Sequence, residues 1–203
     1  MKKPAPRRVS TALRQQEIVE AAIHLARFAS PDGITTQAIA DQVGLTQGAL
    51  FRHFPTKEAI WTAVFSWVRE HLLAEIESAA GRADTPLDQL RAIFRAHARF
   101  IVAHPATPRL IFHELQRPVE SPARAEVRLI LKPYRQRILT LLKAAQTAGR
   151  IDADLDLPSA ATLFIGMLQG LVMQSSLTGD LAALDRRAAK MFPLFLSAIG
   201  VRR

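Results

Sequence analysis

ITTQAIADQVGLTQGALFRHFPTKEAIWTAVF, residues Ile34 to Phe65, is the stretch that decides the fold. Its apolar residues form two short helical runs separated by a turn and followed by a third helix start, which is the order of a helix-turn-helix. Thr35 or Thr36 is placed to cap the first run, whose Ile39, Ala40 and Val43 point one way, and Gly44 supplies the backbone freedom a tight turn requires. Thr46 opens the second run, with Leu45 just outside to fix the entry angle. At about 100° per residue, Leu50 and Phe54 share one face. Gly48 and Arg52 then lie opposite, flanked by Gln47 and Phe51 on one side and by Ala49 and His53 on the other. Such a helix suits a DNA major groove. Pro55 ends it, and Thr56 restarts the chain with Lys57 in the first turn, where free amides and a lysine together make a phosphate clamp. The same period also fits a plain three-helix packing unit, so pattern alone leaves both readings open.

The run GITTQAIADQVGLTQGALFRHFPTKEAIW resembles the DNA-binding signature of TetR-family transcriptional regulators. That signature has a Gly-(Val/Ile/Leu)-x-x-(Gly/Pro)-x-(Leu/Ile)-Tyr-x-(His/Tyr)-Phe core, followed by a capped helix start carrying Lys-(Glu/Asp). Gly44, Leu45, Gly48, Leu50, His53, Phe54, Lys57 and Glu58 match it. Phe51 departs from it, because the family most often has tyrosine there, and a phosphate bond through a phenol hydroxyl is lost. The DNA-contacting set expected from pattern and resemblance together is Thr35, Thr36, Thr46, Gln47, Gly48, Ala49, Phe51, Arg52, His53 and Lys57.

Composition agrees with a compact regulator. The chain has 203 residues, 49% of them apolar, enough for a substantial core. A net charge of +9 points to an anionic partner, nucleic acid or membrane surface. The absence of cysteine excludes disulfides, thiolate metal sites and cysteine nucleophiles. No apolar run of the secretory type precedes Glu17, so cytoplasmic placement is expected.

From the N-terminus, Lys2, Lys3, Arg7 and Arg8 with Pro4 and Pro6 read as a basic arm, which either follows DNA phosphates or merely solubilises. A helix from Leu13 to about Ala29 completes a three-helix head. A long helix from Lys57 to about Ala80 carries Ile60, Val64, Val68, Leu72 and Ile76 at every fourth residue. It leads into further helices, at Pro86 to His104, Thr107 to Arg117, and Ser121 to Thr147, where Pro133 should force a kink or break. Ala160 to Thr178 carries no charge, but its polar interruptions argue against a membrane span, and a helix this apolar is expected to be buried on nearly all sides. Gly166 and Gly170, four apart, permit close backbone approach. The last helix, Leu184 to Ile199, should bend at Pro193.

Catalytic patterns are missing: there is no GxSxG, phosphate loop, dinucleotide fingerprint or HExxH. His97, His104 and His113 lie in neighbouring helices without the carboxylates of a metal set. Neither enzyme activity nor a metal or other cofactor is expected. The second domain can instead enclose a cavity among Phe94, His97, Phe100, Ile101, Phe112, Gln116, Tyr134, Phe164, Met167 and Met173, although each of these residue types serves equally as plain core. Similar proteins bind a small effector there and lose operator affinity. In TetR-like proteins the last two helices pair across a two-fold axis, which implies a dimer interface at Gly166, Gly170, Met173, Met191 and Phe195.

The expectation is an all-α homodimer with a basic arm and three-helix head at residues 1–57 and a helical effector-binding and dimerisation domain at 58–203. It would be a repressor released from a near-palindromic double-stranded DNA operator by a small-molecule effector of unknown identity, with no membrane partner. The rival reading is a basic helical carrier or interaction module for apolar or acidic ligands, without a sequence-specific DNA target.

Overall fold

The structure, a computed structural model, describes residues 10–201. The basic arm of Lys2, Lys3, Arg7 and Arg8 lies outside the described residues. Within them the chain forms α1 (Thr11–Leu25), α2 (Thr36–Gln42), α3 (Gln47–Phe51), α4 (Lys57–Ala80), α5 (Pro86–Ala103), α6 (Thr107–Gln116), α7 (Pro122–Thr147), α8 (Leu157–Leu177), a 3-10 turn (Leu181–Ala183) and α9 (Leu184–Ala198), with no strand among them.

Local chemistry sets most of the helix starts. Ser10, Thr35, Thr46, Thr56, Thr85, Ser121 and Asp156 each turn a side-chain oxygen onto the amide three residues on, satisfying a donor that the first turn leaves free. α1 ends at Leu25, short of Ala29, as the chain tightens through successive turns. α7 and α9 run uninterrupted through Pro133 and Pro193. Both prolines are exposed, and so are Leu129 and Ala189, whose carbonyls lose a helical donor, so water can satisfy the freed groups.

Two cores organise the chain, and α4 belongs to both. Ile60, Trp61, Val64 and Phe65 of α4 pack with Ile18, Ile39 and Leu50 in the head, whereas Val68, Leu72, Ile76 and Ala79 pack with α5, α7, α8 and α9 in the body. The head core also takes in Ala106 and Leu110 of the α6 region and Ala123 and Val127 of α7. A division at 57/58 therefore cuts through the head core, which needs the first two turns of α4 to close its apolar face. In the body, Phe94, Phe164, Phe192 and Phe195 form an aromatic cluster with Phe94 and Phe164 edge to face at 5.2 Å. Arg95 pairs with Asp185 through two hydrogen bonds of 3.2 and 2.9 Å and ties α5 to α9.

α8 departs from its expected burial. It is long and apolar enough, by length and composition, to cross a membrane (mean hydropathy 1.3), so its polar interruptions do not disqualify it on that test. Only 39% of that stretch is buried against the rest of the chain. Leu163, Gly166, Gly170, Met173 and Leu177 lie on an exposed face.

Candidate nucleic-acid interface and ligand cleft

The turn between α2 and α3 is made by Gly44, whose φ of 66° is unfavourable for any residue with a Cβ. Thr35 and Thr46 start the two helices as caps, and Leu45 donates its amide to the Ala40 carbonyl at 2.9 Å, closing the turn. α3 is shorter than the run Thr46 to Phe54, although His53 and Phe54 still donate their amides to the Leu50 carbonyl. Its sole buried residue is Leu50, fully enclosed in the head core.

Leu50 turns the rest of the helix outward. Thr46, Gln47, Gly48, Phe51 and Arg52 are exposed, as is Thr35, while Thr36, Ala49, His53 and Lys57 are half-buried. A Cβ added at Gly48 would meet nothing within 4 Å, so the chain itself does not demand glycine there. Gln47 Nε2 donates to Thr36 Oγ1 at 2.6 Å and braces α3 against the start of α2. Lys57 Nζ donates to the Asp32 carbonyl at 3.0 Å, which positions the cation at the N-terminal end of α4. His53 is partly structural: its carbonyl accepts from Gln15 Nε2 at 3.1 Å, and its Nδ1 is enclosed without a partner among the described residues. Gln15 and Asp32, 38 and 25 residues away from the groups they hold, carried no local pattern that would have marked them.

The ten residues expected around an effector cavity divide. Phe112, Gln116 and Met173 line a cleft of about 530 Å³ between α6 and α8, together with Arg109, His113, Val172 and Leu181. Phe94, Phe100, Ile101, Tyr134 and Phe164 are instead buried in the body core, and Met167 packs half-buried against it. Their large side chains fill the space that a ligand would need. His97 Nδ1 lies 3.1 Å from Tyr134 Oη, an internal polar pair rather than a cavity wall. The other two histidines of the trio go elsewhere: His104 packs edge-on against Trp67, and His113 Nε2 lies 3.0 Å from Asp32 Oδ2 in the head. Of the proposed interface residues, Gly166, Gly170 and Met173 are exposed and Met191 half-buried, but Phe195 is wholly enclosed by its own chain and offers nothing to a partner.

Burial lowers the pKa of His97 to about 4 and raises that of Tyr134, because each charged form would lose its hydration. His104 is lowered too, first by burial. For a histidine held neutral in the fold, the unfolded chain binds more protons between the two pKa values. The stabilisation is therefore complete above about pH 6.5 and lost as the pH falls toward about 4. Chemical denaturation across this window should show stability decreasing with acidity, and His97→Gln should flatten the slope; an unchanged slope would remove His97 as its source.

Residues 18–64 match the family described as "Bacterial regulatory proteins, tetR family", and residues 83–183 match "Tetracyclin repressor-like, C-terminal domain". Among curated proteins, the nucleoid occlusion factor SlmA of Vibrio vulnificus strain YJ016 is 28% identical over 99 residues, covering 48% of this chain and 50% of that protein. The SlmA of Actinobacillus pleuropneumoniae serotype 5b is 30% identical over 101 residues, covering 48% and 49%. The chain thus spans about half the length of the curated relatives it matches. Among solved structures, a TetR-family regulatory protein from Rhodococcus RHA1 superposes with a TM-score of 0.78 at 23% identity, over 96% of this chain and all of that one. FadR from Bacillus subtilis, in complex with stearoyl-CoA, superposes with a TM-score of 0.73 at 20% identity, over 87% and 96%. Both halves of the fold, head and helical body, thus have their counterparts in one family: the chain belongs to the TetR family of bacterial regulatory proteins.

Proposed function

We propose that the chain is a cytoplasmic homodimeric repressor that holds a near-palindromic operator through paired α3 helices and is released by a small molecule bound in its helical body. The observation that carries the DNA-binding part is the division of α3, one buried anchor at Leu50 against an outward face of Gln47, Gly48, Phe51 and Arg52. On this reading Gln47 and Arg52 reach base edges. Phe51, without a hydroxyl, offers apolar contact of the kind a thymine methyl accepts, and Lys57 meets phosphate at the start of α4. Two heads related by a two-fold axis would enter successive major grooves.

The exposed stripe of α8 supports the dimer. Its apolar residues are interrupted by Gly166 and Gly170, whose open surface lets a second helix approach closely, and this explains a helix only partly covered by its own chain. The cleft between α6 and α8 supports the effector, as does the similarity in fold to FadR, a protein solved with stearoyl-CoA. An effector acts only through its different affinity for the DNA-bound and free arrangements.

Binding to a panel of operator variants tests the division of labour. Lys57→Ala should weaken all sequences about equally and reduce the salt dependence, since a phosphate contact carries no base information. Gln47→Ala and Arg52→Ala should relax preference at particular base pairs by roughly 1–3 kcal/mol. Unchanged preference in both of the latter would sink the base-reading role of α3.

A further inference from the structure

We infer that the cleft between α6 and α8 takes an amphipathic carboxylate, and that its charge is passed to the DNA-binding head along His113, Asp32 and Lys57. The inference rests on the effector-released repressor reading and names both the ligand class and the route.

The walls of the cleft set the ligand class. Phe112, Val172, Met173 and Leu181 offer apolar surface, while Arg109 supplies a cation and His113 an imidazole on the α6 side, and no carboxylate among the described residues lines the cleft. Residues 109 and 113 are one helical turn apart, so the guanidinium and the imidazole lie on the same side of α6. A ligand with an apolar body and a single anionic end meets both parts of this surface, whereas a cation would face Arg109 unopposed.

The route follows from α6 standing between the cleft and the head. Leu110 and Ala106 pack into the head core, while Arg109 and Phe112 face the cleft. Arg109 also reaches the Arg27 carbonyl, at the end of α1, through a long hydrogen bond of 3.5 Å. His113 lines both the cleft and a second cavity of about 260 Å³ on the head side, which Asp32 and Lys57 also line. There His113 Nε2 lies 3.0 Å from Asp32 Oδ2, and the Asp32 carbonyl accepts from Lys57 Nζ at 3.0 Å. A carboxylate in the cleft competes with Asp32 for His113 and with the Arg27 carbonyl for Arg109. Freed from His113, the turn at Asp32 no longer fixes the lysine at the phosphate-facing end of α4. Three consecutive contacts thus join the ligand's charge to the DNA clamp, and operator affinity falls.

Calorimetric titration of the full chain with decanoate and 2-naphthoate, against the neutral 1-decanol and 2-naphthol, tests the ligand class. Operator binding measured with and without the acids tests the route. At least one acid should bind more tightly than its alcohol, and Arg109→Gln should weaken that acid about tenfold or more while leaving the alcohol within about twofold. Equal binding of acid and alcohol, or equal loss of both in Arg109→Gln, would overturn the carboxylate assignment. Asp32 is exposed, so Asp32→Ala should leave the fold intact and the acid bound at least as tightly, its competitor for His113 being gone, yet diminish the acid's effect on operator binding; an undiminished effect would overturn the route. If neither acid binds while specific operator binding persists, the ligand class falls and the regulator reading stands. If no operator is bound specifically, the repressor reading falls, and the acid and alcohol titrations still decide the ligand class.

Discussion

Gly170→Leu is expected to separate the subunits and to lower operator affinity by roughly 10²–10⁴, because joining two heads makes the second DNA contact intramolecular. A Cβ at Gly170 meets nothing within 4 Å in the single chain, and Gly166, one turn earlier, is equally open. Leucine is also a better helix former than glycine by about 1 kcal/mol, so the isolated subunit should be as stable as before or more so. Any loss must then come from outside the chain. If the α8 stripe meets its two-fold mate, a leucine there strikes its own copy as well, and the close approach that Gly166 and Gly170 permit is blocked twice. Sedimentation and operator titration on one sample check this. A normal dimer with undiminished binding would move the interface away from α8.

Leu50→Ala should cost about 2–5 kcal/mol of stability and with it most specific DNA binding. The substitution empties a fully enclosed position, and no other residue of α3 is buried. A helix of five residues cannot persist by its own hydrogen bonds, so its orientation depends on this anchor. Gly48→Ala provides the contrast two residues away. It adds a methyl group to open space, should stabilise the helix by about 1 kcal/mol, and should nonetheless weaken operator binding by crowding the outward face. Thermal denaturation paired with operator titration separates the two effects: stability and binding fall together for Leu50→Ala and move in opposite directions for Gly48→Ala. A Leu50→Ala protein that melts normally would mean that α3 is held by something other than its anchor.

The head was legible in the sequence because its rules are local. Thr35, Thr46 and Thr56 cap helices three residues ahead of the amides they satisfy, and Gly44 takes the positive φ that its turn requires. The ligand region was less legible because its determinants are far apart in the chain. Phenylalanines at 94 and 164 have the composition of a cavity wall and of a packed core alike, and only the way α5, α8 and α9 cross decides that they touch each other. The pairing of His113 with Asp32 joins residues 81 apart, with no periodicity to announce it. Hydropathy failed for α8 in a related way. It registers that water is unfavourable along the helix, but it does not distinguish burial against the same chain from a face left for another copy.

The continuous α4 carries a consequence for how this regulator can be taken apart. A fragment ending at residue 57 would keep Ile18, Ile39 and Leu50 but lose Ile60, Trp61, Val64, Phe65, Leu110 and Val127, which close the same core. Such a head is expected not to fold on its own. The head and the body, joined through a single rod, are accordingly expected to melt together in one calorimetric transition, so that whatever tightens the body also protects the head from unfolding. On the effector-released reading, loss of the operator would then come from changes within folded heads, such as the hold on Lys57, and not from their unfolding. A ligand that frees this protein from DNA should leave it harder to denature.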